Sequence, residues 1–208
     1  STALLASRRD LPQRGRREAS DGYVNLLGLI SHEYFHTWNV KRLRPAEFTT
    51  LDYTRENYTE LLWFFEGFTS YYDDLLLLRS GLIDGPRYLK LLAATIAAVQ
   101  ATPGRAVQSV AAASFDAWIK YYRPDENSIN TSISYYTKGS VVALLLDARI
   151  RKATNGARSL DDVMKAAYDK YSGVRGYTAD EFRAVAEQVA GASLKAFWDA
   201  AVTGTEEL

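Results

Sequence analysis

Most of the chain consists of long stretches rich in apolar residues, separated by short polar segments that carry proline or glycine. The apolar stretches are long enough for several helical turns, and typical cap and stop residues border them. Strands are expected to be minor or absent. This pattern predicts a mainly α-helical protein.

The first helix is expected from about Gly22 to Arg42, with Asp21 as its cap. An arginine-rich segment over residues 7–20, which lacks periodicity, is expected to be a loop on the surface. A second long helix is predicted from about Glu56 to Arg79, and a third from Gly85 until just before Pro103.

Three further elements are expected in the second half of the chain. "SFDAWIKYY" predicts a short helix, and "PDENSINTSIS" a polar loop or short strand. "YTKGSVVALLLDARIRKATNG" predicts a fifth helix that stops at Gly156.

Helix starts are also indicated at Ser159 with Asp162, at Thr178 with Glu181, and at Ser193 before "LKAFWDAAV". The pair Thr178 and Glu181 matches a capping box. No internal repeat or linker is evident, so residues 1–208 are predicted to form a single unit.

Composition narrows the classes of function. The chain has 208 residues, no cysteine, and 25 basic against 25 acidic residues. Balanced charge gives no indication of nucleic acid or an anionic membrane as a partner. No apolar run approaches a membrane span, and the beginning of the chain does not resemble a signal peptide. Because it lacks an initiator Met, the sequence is expected to be a piece of a longer product. The sequence does not indicate the cellular compartment.

Both histidines of the chain lie in "SHEYFH", where His32, Glu33 and His36 match H-E-x-x-H. Residues four apart share a helical face, so both imidazoles can reach one zinc ion. Glu33 is rotated by roughly 100° on the helix, which suits a base that takes a proton from an activated water. The alternative is a chance match in which the histidines only pack in a core.

A third metal ligand must come from another helix. In "LLWFFEGFTSYYDD", Glu66 is a carboxylate surrounded by aromatic and aliphatic residues, where it is costly unless paired or metal-bound. Two histidines and one glutamate are a known catalytic zinc set. The alternative is that Glu66 lies on the surface of an amphipathic helix.

The segments "SHEYFHTWNVKRLRP" and "ENYTELLWFFEGFTSYYDDLLL" resemble the glycyl aminopeptidase family of gluzincin metallopeptidases. The resemblance implies one zinc ion per chain, held by His32, His36 and Glu66, with Glu33 as the catalytic carboxylate. It also implies the helical half of a thermolysin-like catalytic domain. An upstream β-rich domain with a substrate-binding strand, and a downstream PDZ domain, would lie outside this sequence.

"SYYTKGSVV" resembles the Y-x-K-G element of related gluzincin aminopeptidases, in which the tyrosine stabilises an oxyanion. The matching residue is Tyr136, and Tyr135 is the alternative. A neutral phenol can donate one hydrogen bond to developing negative charge. Either tyrosine could equally be a core or surface residue.

Metal-binding histidines usually donate their second ring nitrogen to a carboxylate or carbonyl. Asp73, two helical turns after Glu66, and Asn39, one turn after His36, are candidates for this support. Both could equally be ordinary polar residues on a helix surface.

The expected function is therefore that of a zinc aminopeptidase acting on a peptide or protein substrate. The resemblance implies a preference for small N-terminal residues such as Gly or Ala. A zinc endopeptidase and a non-catalytic, zinc-stabilised interaction domain are the alternatives, although a structural zinc site has no use for Glu33.

Overall fold

A computed structural model describes residues 3–15 and 18–207. Arg16 and Arg17 of the arginine-rich segment lie outside the described residues. Within those ranges, extended pairing is limited to two isolated bridges, Asn39 with Leu43 and Pro45 with Tyr177. The structure is therefore mainly α-helical, as the sequence predicts.

The α-helices are α1 (Asp21–Phe35), α2 (Leu62–Phe65), α3 (Gly67–Arg79), α4 (Gly85–Ala101), α5 (Val110–Phe115), α6 (Ser128–Thr131), α7 (Tyr135–Ala153), α8 (Leu160–Tyr171), α9 (Ala179–Ala190) and α10 (Lys195–Trp198). Short 3₁₀ turns lie at Arg8–Asp10, Ala46–Phe48 and Pro103–Ala106, and a π-helical turn at Asp199–Thr203 follows α10. None of the helices within the described residues is both long enough and apolar enough to cross a bilayer.

Several predicted boundaries are correct. α4 matches its predicted span. The starts of α8 and α9 both carry reciprocal capping boxes, Ser159 with Asp162 and Thr178 with Glu181. These starts could be predicted because the capping side chain and the helix that it caps are close in sequence.

Other boundaries differ from the prediction. α1 is capped by Ser20, whose hydroxyl accepts from the Tyr23 amide, and it ends at Phe35 instead of Arg42. After His36 the chain forms tight turns, and they bring Leu43 into the core. The buried side chain of Asn39 in this segment donates to distant groups of Phe65 and Thr69, so tertiary contacts hold the turns.

The predicted second helix begins six residues later than expected, at Leu62 instead of Glu56. The hydroxyl of Thr59 accepts from the Leu61 amide just before the helix begins. α2 and α3 then run on through Glu66, whose amide bonds Leu62 and whose carbonyl accepts from Ser70. This α2–α3 segment is the central element of the fold.

In the middle of the chain, the predicted helix over "SFDAWIKYY" is wrong. α5 covers Val110–Phe115, and residues 116–122 form turns. The segment expected to be a loop or strand contains the single helical turn α6. These short elements carry little periodicity, so local sequence constrains them weakly.

The core lies between α2–α3 and the later helices. α3 packs along α7, and α1 also packs against α3. Phe64 and Phe68 pack against Phe182, with 4.0 Å between the ring centroids of Phe64 and Phe182. Trp63 packs against Trp198 at 5.4 Å. This aromatic core fixes the helix that carries Glu66.

Candidate metal centre and active-site cleft

His32, His36 and Glu66 converge at the end of α1. The Nε2 atoms of His32 and His36 lie 3.1 and 3.2 Å from the same carboxylate oxygen of Glu66. One donor atom from each residue lies within 4.8 Å of the other two. Sequence analysis selected these three residues, and the structure places them together.

The donor set fits a zinc ion. Ligand atoms about 2.0–2.1 Å from one ion at tetrahedral angles lie roughly 3.3 Å apart. The observed separations of 3.1 and 3.2 Å are close to this spacing. Imidazole nitrogen and carboxylate oxygen are both ordinary zinc ligands. The three side chains could therefore hold a single metal ion.

Each histidine is oriented through its other ring nitrogen. His32 Nδ1 lies 3.1 Å from the Asp73 carboxylate, and His36 Nδ1 donates to the main-chain carbonyl of Asn39 at 2.8 Å. Both Nε2 atoms consequently face Glu66. Asp73 thus lies where a carboxylate support was predicted.

Asn39 contacts His36 through its backbone instead of its side chain. The buried Asn39 amide group donates towards the Phe65 carbonyl and the Thr69 hydroxyl, at 3.5 and 3.4 Å. It therefore ties the turn after α1 to the α2–α3 segment. The prediction selected the right residue. The contact forms only because the chain turns after His36, where a continued helix was predicted.

Electrostatics couple the three groups. Burial by itself would lower the pKa of His32, but hydrogen bonds and charges from Asp73 and Glu66 outweigh it and raise this pKa to about 9. Burial would raise the pKa of Glu66, yet the two histidines lower it to about 2. A metal cation needs unprotonated imidazoles, so it would compete with the proton on His32.

Glu33 and Tyr136 line the same cleft as the three candidate ligand side chains, and the cleft has a volume of about 800 Å³. Glu33 follows His32 on α1. Tyr136 lies in the first turn of α7, with its ring centroid 6.3 Å from that of His32. Tyr135 is fully buried and does not line this cleft. The geometry therefore favours Tyr136 over Tyr135 as the group that faces the metal centre.

Sequence analysis missed two glycines that set the spacing of the cleft. Gly67 and Gly139 face each other where α3 crosses α7. A Cβ on Gly67 would lie 2.5 Å from Gly139 Cα, and a Cβ on Gly139 would lie 2.6 Å from the Trp63 carbonyl oxygen. Glu66 directly precedes Gly67, so this close approach brings Glu66 and Tyr136 to one cleft.

A signal for these glycines exists in the sequence. Gly inside a helix costs roughly 0.5–1 kcal/mol relative to Ala, so its presence there suggests close backbone packing. Both glycines lie within stretches predicted to be helical, immediately after Glu66 and Lys138. The sequence does not show that the two are partners.

Comparisons with known proteins identify the family of the chain. The model of the M61 glycyl aminopeptidase family matches residues 25–142, more than half of the chain. The crystal structure of an aminopeptidase N family protein from Idiomarina loihiensis is 41% identical, with a TM-score of 0.95. The match covers 99% of this chain and 35% of that one, so this chain spans about a third of that protein's length. No match was found among curated proteins. The chain belongs to the M61 glycyl aminopeptidase family.

Proposed function

We propose that the chain is the catalytic helical part of a zinc aminopeptidase, which hydrolyses the first peptide bond of substrates with a small N-terminal residue such as Gly or Ala. The observation that carries this proposal is the arrangement of His32, His36 and Glu66 beside Glu33 and Tyr136 in one cleft. Membership of a family described as glycyl aminopeptidases supports the choice of substrate end and residue size.

His32, His36 and Glu66 would hold the zinc ion. Zinc bound there would supply Lewis acidity towards water and the substrate carbonyl. Asp73 and the Asn39 carbonyl keep the two Nε2 atoms pointed inwards. The contacts of Asp73 and Asn39 thus orient the proposed ligand set.

Glu33 is the proposed general base. It is half-buried, lines the cleft, and follows His32 on the helix, so it stands beside the ligand set without being part of it. Its carboxylate would take a proton from the attacking water and pass it to the leaving amine. This role requires a carboxylate and not merely a polar group.

Tyr136 is the proposed donor to the oxyanion. Burial raises the pKa of Tyr136, and the negative charge of Glu66 raises it further. The phenol therefore stays protonated at neutral pH and keeps a hydrogen to donate. A donor that meets negative charge only in the transition state accelerates the chemical step.

The test is Glu33→Gln in the full-length protein. The amide has nearly the same volume as the carboxylate but is not a base, so zinc content should be unchanged while hydrolysis of a glycyl or alanyl 4-nitroanilide is lost. Glu60→Gln, on an exposed residue outside the cleft, is the matched control and should retain full activity.

Four outcomes would contradict parts of the proposal. Unchanged turnover in Glu33→Gln would remove Glu33 from the reaction, and loss of zinc together with activity would make it a structural residue. Equal cleavage of peptides with free and acetylated N-termini would indicate an endopeptidase. Zinc binding without any hydrolysis by the full-length protein would favour a non-catalytic domain.

A further inference from the structure

Four tyrosines form a cluster behind the metal-facing side of the cleft: Tyr121, Tyr122, Tyr135 and Tyr136. The rings of Tyr135 and Tyr136 have centroids 4.7 Å apart, and the ring of Tyr121 lies 4.8 Å from Tyr135 and 5.8 Å from Tyr136. Tyr121 and Tyr122 belong to the turn segment 116–122, whereas Tyr135 and Tyr136 begin α7. Two separate parts of the chain therefore meet at these rings.

A hydrogen bond joins the two parts. The hydroxyl of Tyr135 donates to the hydroxyl oxygen of Tyr122 at 3.2 Å. Tyr135 is fully buried, whereas 60% of the surface of Tyr122 is exposed. A half-exposed side chain from a turn thus supplies the polar partner of a buried phenol.

Tyr122 reaches Tyr136 through Tyr135. The Tyr122 hydroxyl holds the hydroxyl of Tyr135, and the ring of Tyr135 packs against the ring of Tyr136 at 4.7 Å between centroids. For Tyr121, in contrast, the structure shows ring contacts within the described residues but no hydrogen bond of its hydroxyl.

Tyr136 needs support from this side. It lies in the first turn of α7 and lines a wide cleft, and its ring packs against the rings of Tyr121 and Tyr135. A single hydrogen-bond donor helps only if its oxygen is held within a fraction of an ångström of the productive position. The tyrosine cluster is the neighbouring structure that can restrict the ring.

We propose that Tyr122 is a positioning residue for the reaction, because its hydroxyl holds Tyr135, and the ring of Tyr135 in turn holds the packed ring of Tyr136 in its place at the cleft. This inference rests on the proposed function, in which Tyr136 stabilises the oxyanion. It adds a residue that neither touches the metal ligands nor lines the cleft.

The experiment is a double-mutant cycle in the full-length, zinc-loaded protein with a glycyl 4-nitroanilide. Tyr122→Phe removes one oxygen and keeps the ring, so kcat should fall roughly 2- to 10-fold with KM and zinc content unchanged. Tyr121→Phe is the matched control, since it removes the hydroxyl of the adjacent ring and should leave kcat unchanged. Thermal unfolding of each variant checks that the fold is retained.

The cycle separates positioning from a general structural effect. If Tyr122 acts through Tyr136, then Tyr122→Phe combined with Tyr136→Phe should be no slower than Tyr136→Phe alone. Additive losses would overturn the inference, as would equal kcat values for Tyr122→Phe and Tyr121→Phe. The Glu33→Gln variant distinguishes failure of this inference from failure of the proposed function. If Glu33→Gln retains full turnover, the proposed function itself is wrong. If Glu33→Gln is inactive but the loss in Tyr122→Phe is absent or additive, only the positioning role of Tyr122 is wrong.

Discussion

The α2–α3 segment has two faces with opposite character and the same helical spacing. Glu66, Ser70 and Asp73 point to the cleft, whereas Phe64, Phe68 and Tyr71 occupy the core side. The side chains of Glu66 and Asp73 are 17% and 16% exposed, and Phe68 is fully buried. One helix therefore carries the charged groups of the site and the apolar groups that hold it in place.

The comparison of the two faces shows how the cleft can contain carboxylates whose burial is unfavourable without partners. Partly buried carboxylates are costly unless they are paired. Glu66 meets two histidines, and Asp73 meets His32, so the cleft face is satisfied by partners from α1. The core face supplies the packing that keeps those partners at hydrogen-bonding distance. Substitutions on the two faces should consequently have different effects.

The largest effect on stability is expected from the core face. Phe64→Ala should lower the free energy of unfolding by about 3–5 kcal/mol, because it removes a fully buried ring and leaves a cavity among Phe68, Tyr177 and Phe182. Urea unfolding measures this loss. Tyr53→Ala, at a ring that is 90% exposed, should stay within about 0.5 kcal/mol of the parent. Equal losses for the two variants would mean that the aromatic core does not carry the helix.

On the cleft side, Tyr136→Phe should alter activity and leave stability nearly unchanged. Loss of one oxyanion donor typically lowers kcat by ~10²–10³, or about 2.7–4 kcal/mol, with KM and zinc content roughly preserved. Tyr135→Phe should cost no more than Tyr122→Phe, since it removes the other half of the same hydrogen bond. Steady-state kinetics decide between the two residues, and a larger loss in Tyr135→Phe would move the role to that position.

These two faces were not equally predictable from sequence. H-E-x-x-H is local, and an acid among apolar residues stands out, so His32, His36, Glu33 and Glu66 could be selected without a structure. The helical class and the capping boxes were predictable for the same reason. Which of Tyr135 and Tyr136 faces the cleft depends on the rotation of α7, and that rotation is set by packing between distant segments.

The elements that sequence analysis placed incorrectly also depend on distant contacts. The end of α1 is followed by turns that bury Leu43 and present the Asn39 carbonyl to His36. The turn segment that carries Tyr122 was predicted to be helical, and its contact with Tyr135 is tertiary. Local propensity contains no information about such partners.

A smaller effect on stability and activity is expected from a substitution at the crossing of α3 and α7, where the two faces meet. In Gly139→Ala the new Cβ would lie 2.6 Å from the Trp63 oxygen and 2.9 Å from Gly67 Cα, so the two helices must separate. Overpacking of this kind costs roughly 1–3 kcal/mol and should also lower kcat by shifting Tyr136. Gly85→Ala is the control, because a Cβ there meets no atom within 4 Å. Unchanged Tm and kcat in Gly139→Ala would show that the crossing does not position the cleft.

The smallest effect on stability is expected from a substitution of Asp74, the neighbour of Asp73 on α3. Asp73 is paired with His32, whereas no group among the described residues donates a side-chain hydrogen bond to the Asp74 carboxylate. Burial, followed by the charge of Asp73, raises the pKa of Asp74 from 3.8 to about 6. A raised carboxyl pKa means that the folded state favours the neutral acid. The contribution of the neutral Asp74 side chain to the free energy of unfolding is therefore complete below pH 3.8, and it is lost as the pH rises through 6.

At pH 7 the charged Asp74 should accordingly destabilise the fold, and Asp74→Asn should increase the free energy of unfolding. The expected gain is on the order of 1–2 kcal/mol once partial solvent exposure is allowed for. It should shrink as the pH falls from 6 towards 3.8, because the parent side chain then becomes neutral as well. Urea unfolding of both proteins across this range measures the difference, with the exposed Asp169→Asn as the control. A loss of stability at pH 7 would mean that the Asp74 carboxylate has a favourable partner, and a pH-independent difference would mean that its ionisation is not the cause. Either result would make the contrast with Asp73 wrong.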